Sequence, residues 1–203
     1  MTEICSLEDL HAHYGEASVL AAKKELQHLD RHAREFIARS PFLVLSTADA
    51  EGWPDASPKG DAPGFVTVED DKRLLLPDRM GNNRVDGFRN LIGNPRAGMI
   101  FFVPGVDHTL RVDGTARLLV DQATCARFSV NGRPAVAVLE VTTAEVFFHC
   151  GKALIRSRLW KPSAWPSTDG LASLGKALAD QIGSISAKEA EEKVQESIRS
   201  RLY

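Results

Sequence analysis

The chain has 203 residues, 43% of them hydrophobic and 26% charged, with 25 Lys and Arg against 27 Asp and Glu for a formal charge of −2. That length supports one domain with a full core, and the charge balance offers no global field to draw the protein to nucleic acid. Cys5, Cys125 and Cys150 are an odd number without a Cys-x-x-Cys pair, which argues against a disulfide framework or zinc knuckle and fits a cytoplasmic protein. The sequence MTEICSLEDLHAHYG has acids where a signal peptide needs lysines, and no run nears the roughly 18 apolar residues of a membrane span.

In chain order, Ser6 and Asp9 can cap a first helical turn. From Glu16 to Arg39 the residues Val19, Ala22, Leu26, Leu29, Ala33, Phe36 and Ile37 recur at helical spacing, which predicts one amphipathic helix that Pro41 stops. Phe42 to Thr47 reads as a buried strand, Asp49 to Gly52 as a turn, and Trp53 to Ser57 as the return strand of a hairpin. Residues 58–64 are punctuated by Pro and Gly and predict a loop. A second hairpin joins Phe65–Val68 to Arg73–Leu76. Strands are expected again at Ala97–Val103, Thr109–Val120 and, long or broken, Val136–Phe148, with a brief helical crossover at Asp121–Val130. Helices are expected from Cys150 to Trp160, Leu171 to Ile182 and Ala187 to Leu202. Many short strands linked by hairpins, with neither βαβ alternation nor a G-x-G-x-x-G fingerprint, predict an antiparallel barrel with helical additions rather than a dinucleotide-binding fold.

The segment KRLLLPDRMGNNRVDGFRNLIGNP (72–95) stands out, because an apolar strand runs into a loop dense with Arg and Asn. Arg79, Asn82, Asn83, Arg84 and Arg89 bring guanidinium forks and amide donors together, the combination that a phosphate needs. Gly81 lets backbone approach an anion, and a short helix starting near Asn83 would add N-terminal donors. A second dense block, HCGKALIRSRLW (149–160), puts Lys152 and Arg156 four apart on one helical face, where they could reach a cofactor or an anionic substrate. Trp53, Phe65 or Trp160 could offer a flat face to a planar ring. His149 and Cys150 are neighbours on a strand and point to opposite faces, so no metal site is expected. His11, His13, His28 and His32 read as a solvated helical face or a subunit contact, and Asp61 and Asp86 as loop and helix-cap residues.

The succession DASPKGDAPGF (55–65), LLLPDRMGNNRVDGFRN (74–90), FFVPGVDHTLRVDGTA (101–116) and FHCGKALIRSRLW (148–160) resembles the pyridoxamine 5′-phosphate oxidase-related flavoproteins, in particular their FMN-dependent branch of unassigned substrate. The resemblance spans about residues 30 to 165. It implies a mainly β fold with flanking helices, a six-stranded antiparallel split β-barrel, and a homodimer with FMN at the subunit interface. The whole chain, 1–203, is then a single domain: an N-terminal helical extension (1–40), a barrel core (41–160) and a C-terminal helical segment (161–203).

Carried over by position, the resemblance implies that Pro77 and Asp78 line the flavin and ribityl chain, and that Ser57 and Lys59 run beside the ring. Thr109 and Arg111 would meet the FMN of the partner subunit. Asn83 and Arg84 stand where the oxidases have an Arg-Lys phosphate clamp, so Arg79, Lys59 or Arg89 is expected to supply a second charge. The pyridoxal-phosphate signature of the oxidases proper is not recognisable, which argues against vitamin B6 oxidation. The expected function is an FMN-dependent oxidoreductase acting on a small molecule, without nucleic-acid or membrane partners. A flavin carrier or sensor, and a barrel binding deazaflavin F420 or haem, are the competing expectations.

Overall fold

The computed structural model describes residues 3–202. Seven antiparallel strands form one sheet: β1 (Phe42–Ala48), β2 (Pro54–Gly60), β3 (Thr67–Val68), β4 (Arg73–Asp78), β5 (Arg96–Phe102), β6 (Thr109–Leu119) and β7 (Ala137–His149), in the order β2-β1-β5-β6-β7-β4-β3. The sequence expectation of a mainly β antiparallel fold with flanking helices holds. Among the described residues the strand count is seven instead of six, and no ladder joins the ends of the sheet.

The ends nevertheless approach each other. Lys59 on β2, at one end of the order, donates to Asp78 at the tip of β4 over 3.2 Å. Just beyond the same two strands, Arg79 donates to Asp61 over 3.0 Å. The sheet therefore curls until β2 and β4 face one another, and side chains rather than backbone bridge the gap.

Strand alternation explains the interior. On β1, Leu43 and Leu45 are buried, as are Met99 and Phe101 on β5, and Leu110 and Val112 on β6. These side chains meet Leu74, Leu76, Leu139, Val141 and Val146 from β4 and β7 in one core. β7 is buried on both faces from Ala137 to Val141, because Leu75, Cys125, Ala135 and Val138 pack as a second, smaller cluster on its other side. Where β6 bulges between Asp113 and Gly114, a Cβ on Gly114 would lie 2.0 Å from the Thr142 carbonyl, so only glycine fits.

A first helix forms behind Ser6 as predicted, α1 (Leu7–Tyr14), but the continuous helix predicted from Glu16 to Arg39 breaks into α2 (Val19–Lys23) and α3 (Arg31–Arg39). Ser6, Ser18 and Asp30 each accept a helix-starting N–H, so each segment has its own cap. Between α2 and α3, Leu26 exchanges backbone hydrogen bonds with Val146 of β7, which pulls the chain out of helical geometry. Only α3 seals the core, through Ala33, Phe36 and Ile37. The histidines at 11, 13, 28 and 32 are all exposed.

The remaining helices are α4 (Asp86–Gly93), α5 (Gln122–Ala126), α6 (Lys152–Ser157), α7 (Leu174–Ile182) and α8 (Ala187–Arg201). α4 lays its first turn against β1 and β2: a Cβ on Gly87 would stand 3.1 Å from the Asp55 carboxylate and 3.4 Å from Thr47 Oγ1. α7 and α8 form a hairpin that crosses at Gly175, where a Cβ would lie 2.6 Å from the backbone of Glu191. Among the described residues no helix is long and apolar enough to cross a membrane.

Candidate functional site

The gap between β2 and β4 opens into a cavity of about 720 Å³, within the range of small-molecule and cofactor sites. Its walls come from three places that are distant in sequence. β2 contributes Asp55, Ser57 and Lys59; the end of β4 and the loop after it contribute residues 78–85; and α4 contributes Asp86, Gly87 and Phe88. Because side chains alternate along a strand, Asp55, Ser57 and Lys59 share one face of β2 and turn inward together. β2 runs to Gly60, through residues expected to form a loop, and that extension carries Lys59 to the site.

Of the residues singled out from sequence, Ser57, Lys59, Asp78, Arg79, Asn82, Asn83 and Arg84 line this cavity. Pro77 is buried inside β4, paired with Val138, and lies behind the wall. Thr109, Arg111, Lys152 and Arg156 do not reach the cavity within one chain. Thr109 is buried opposite His149, Arg111 is ion-paired with Asp113 over 2.6 Å and lies over the Phe147 ring, and Lys152 and Arg156 are exposed on α6. Arg89 turns to a smaller neighbouring depression beside Trp53. None of the three aromatics expected to offer a flat face lines the cavity. Phe65 packs on the core, Trp160 donates to the Val106 carbonyl, and the aromatic that does line it is Phe88.

The loop has a specific reason for its shape. Asn83 has φ 61°, a left-handed conformation that Asn tolerates better than most residues. The helix therefore cannot begin near Asn83, and it begins at Asp86 after Val85, which makes no side-chain cap. Asp86 is thus a first-turn residue and not a cap, and its acid favours that end of the helix. Asn82 Oδ1 accepts the Arg84 N–H over 3.0 Å, fixing the turn and leaving the Asn82 amide hydrogens to donate.

Charge along the cavity walls is nearly balanced. Lys59 meets Asp78, Arg84 meets Asp86 at 2.6 Å, and Arg79 meets Asp61. These pairs are not equivalent. Lys59 and Asp78 are only 22% and 18% exposed, and Lys59 also lies 4.8 Å from the centre of the Phe88 ring, so its ammonium is held in place by a carboxylate and a π face. Arg79 is held similarly, donating to Asp61 and to the Phe128 carbonyl at 2.5 Å, which makes it a brace of the wall. Arg84, by contrast, is 80% exposed. The hydrogen bond from Arg84 holds the Asp86 carboxyl below its usual range, and the same bond raises Arg84. An exposed pair of this kind exchanges readily for an incoming anion.

Leu45, Met80, Val85, Phe88 and Val136 add apolar surface to a lining that also carries amide and cationic donors. Such a combination suits a ligand with a planar apolar ring and an anionic tail. Among the described residues no group of three or more His, Cys, Asp and Glu is placed to hold a metal ion.

A sequence model described as pyridoxamine 5′-phosphate oxidase matches residues 29–150, more than half of the chain. The chain belongs to this family. The pyridoxamine 5′-phosphate oxidase region thus includes α3, every strand and the cavity loop, and leaves α6 to α8 outside. Among solved structures, a putative pyridoxamine 5′-phosphate oxidase from Lactobacillus delbrueckii is 22% identical, with 61% of this chain and 98% of that chain covered and a TM-score of 0.48. HupZ of Group A Streptococcus is 22% identical over 59% of this chain and 92% of that one, with a TM-score of 0.46. HutZ of Vibrio cholerae, described as a heme storage protein, is 17% identical over 60% and 94%, with a TM-score of 0.42. No curated protein matches the chain.

Sequence reasoning missed several cavity residues. Asp55 and Phe88 were not singled out, although Asp55 is in step with Ser57 and Lys59 on β2 and Phe88 follows the Arg/Asn loop by one helical turn. Val136 and Arg201 also line the cavity, and no local pattern connects either to a loop more than fifty residues away.

Proposed function

We propose that the protein is a cytoplasmic, homodimeric FMN-binding flavoprotein of split-barrel type that acts as an oxidoreductase on a small molecule. The observation that carries the reading is the cavity itself, which is lined by the donors of Ser57, Lys59, Asn82, Asn83 and Arg84 together with apolar side chains. FMN, when bound, supplies a ring that takes up and passes on a hydride or electrons. Arg84, Asn82 and Asn83 would hold the phosphate, with Arg84 giving up part of its contact with Asp86. Ser57 and Asp78 would take the ribityl chain and ring edge, and Lys59 supplies positive charge from a partly dry wall, where it counts for more than in water. Leu45, Met80, Val85 and Phe88 supply the apolar surface that the ring would cover.

The homodimer is supported by the outer face of β1 and β5. Phe42 and Ile100 are 39% and 40% exposed there, and the Phe42 and Phe102 rings stand 5.9 Å apart in one apolar strip. In that assembly Thr109, Arg111, Lys152 and Arg156 would approach the cavity of the partner subunit. The test is the absorbance spectrum of the purified protein after reconstitution with FMN and desalting. Paired bands in the blue and near ultraviolet support the reading; a Soret band from the protein as isolated would move it to haem, a single violet band to a deazaflavin, and no chromophore would overturn it.

A further inference from the structure

The cavity wall includes one residue from far outside the family region, Arg201 on the last turn of α8. Its position follows from the helix. Ala190, Glu191, Val194 and Ser197 are the buried or half-buried positions of α8, and Arg201 continues the 190-194-197 stripe at helical spacing. The adjacent stripe, Ile198, Arg199 and Leu202, faces Asn131 and Arg133. That turn leads directly to Val136, a cavity residue whose N–H donates to the Asp78 carbonyl at 3.0 Å. The helix is thus laid along one rim of the cavity and delivers a guanidinium to it.

Among the cations that line the cavity, Lys59, Arg79 and Arg84 each have a carboxylate partner. Arg201 has none among the described residues, and it is exposed. An anion entering the cavity must compete with Asp86 for Arg84 but with no carboxylate of the described residues for Arg201. We infer that Arg201 is a further binding residue that the α7–α8 hairpin supplies to the phosphate of the bound ligand, replacing the second cation that the Asn83-Arg84 pair lacks. The inference rests on the FMN reading of the cavity for the identity of the phosphate.

The experiment titrates the full chain with FMN and with riboflavin by flavin fluorescence, and with inorganic pyrophosphate by thermal shift, for wild type, Arg201→Ala and Arg201→Lys. Removing one charge-assisted hydrogen bond predicts that Arg201→Ala weakens FMN about five- to tenfold and leaves riboflavin unchanged, with Lys restoring most of the difference. Equal FMN affinity in wild type and Arg201→Ala would overturn the inference while leaving the flavin reading standing. If wild type binds no flavin, the flavin reading falls; the inference then stands only if pyrophosphate stabilises wild type and not Arg201→Ala, and falls with it otherwise. An equal weakening of FMN and riboflavin in Arg201→Ala would also overturn it, since a displaced helix affects both ligands whereas a phosphate-binding side chain affects only FMN.

Discussion

Two stretches of this chain look alike as text, residues 79–89 and residues 149–160, each packing several cations into about a dozen positions. The fold treats them differently. The first leaves β4, turns through the left-handed Asn83 and enters α4, whose first turn is drawn against β1 and β2 through Gly87, so its polar side chains face a cavity. The second leaves β7 into α6, anchored at Gly151 against Asp107 and by the Trp160 bond to Val106, with Lys152 and Arg156 outward. Cation density marks both segments. What separates them is whether the elements on either side of the loop converge on a third element.

The largest effect should come from breaking the first segment. Arg84→Glu puts a second carboxylate beside Asp86 and aims both at the phosphate, so FMN retention after desalting should be lost, with at least a tenfold rise in Kd by fluorescence titration. Riboflavin binding should move far less; an equal loss of both would show that the loop had collapsed. Next comes Arg79→Ala, which removes the guanidinium from Asp61, only 7% exposed, and from the Phe128 carbonyl. It should cost about 2 kcal/mol of stability in urea unfolding, and leave the FMN-to-riboflavin preference intact. Together the two variants divide the cations of one loop into a ligand contact and a wall brace.

Legibility in the sequence followed locality. β1, β5, β6 and β7 alternate or run apolar in ways that residues such as Leu43, Leu45, Met99 and Phe101 make plain, and the Arg/Asn loop announced itself. The broken N-terminal helix was not legible, because Leu26 has helical spacing with its neighbours and leaves the helix only for a tertiary partner, Val146. The same holds in the site. Lys59 could be placed through a family resemblance, but its pairing with Asp78 depends on a sheet that curls its two ends together. Phe88 displaced Trp53 and Trp160 as the cavity aromatic for a similar reason, since ring type can be read from sequence and the packing of α4 on β2 cannot.

A smaller effect is expected from the second segment, and only in the assembled dimer. Lys152→Glu with Arg156→Glu should weaken FMN about threefold if these residues approach the partner's cavity, as surface charges screened by solvent do. Mixing this double variant with Arg84→Glu under conditions of subunit exchange sharpens the point. One of the two sites in a mixed dimer then combines an intact loop with an intact α6, so the exchanged mixture should contain a fraction of sites with wild-type affinity and retain more flavin than the average of the two variants. Retention no better than the average of the two variants would mean that α6 serves its own subunit or none, and the comparison would become one between a binding loop and a solvated helix.

The smallest effect tests the difference in pairing. Arg84 has the carboxylate of Asp86, whereas Lys152 and Arg156 have no carboxylate partner among the described residues. The hydrogen bond from Arg84 lowers the folded-state pKa of Asp86 below its unfolded value, so the pair stabilises the fold above the ordinary carboxylate range. That contribution is lost as pH falls through the lowered value, from about pH 4 downward. Asp86→Asn should therefore be slightly less stable than wild type near neutrality, with the gap in urea midpoint closing as the solution is acidified below that point. The same substitution frees Arg84 for an anion and should tighten FMN about twofold at pH 7. A variant both less stable and tighter-binding would show that Asp86 holds Arg84 in reserve for the ligand; unchanged affinity would mean that the exposed guanidinium already samples the cavity without help.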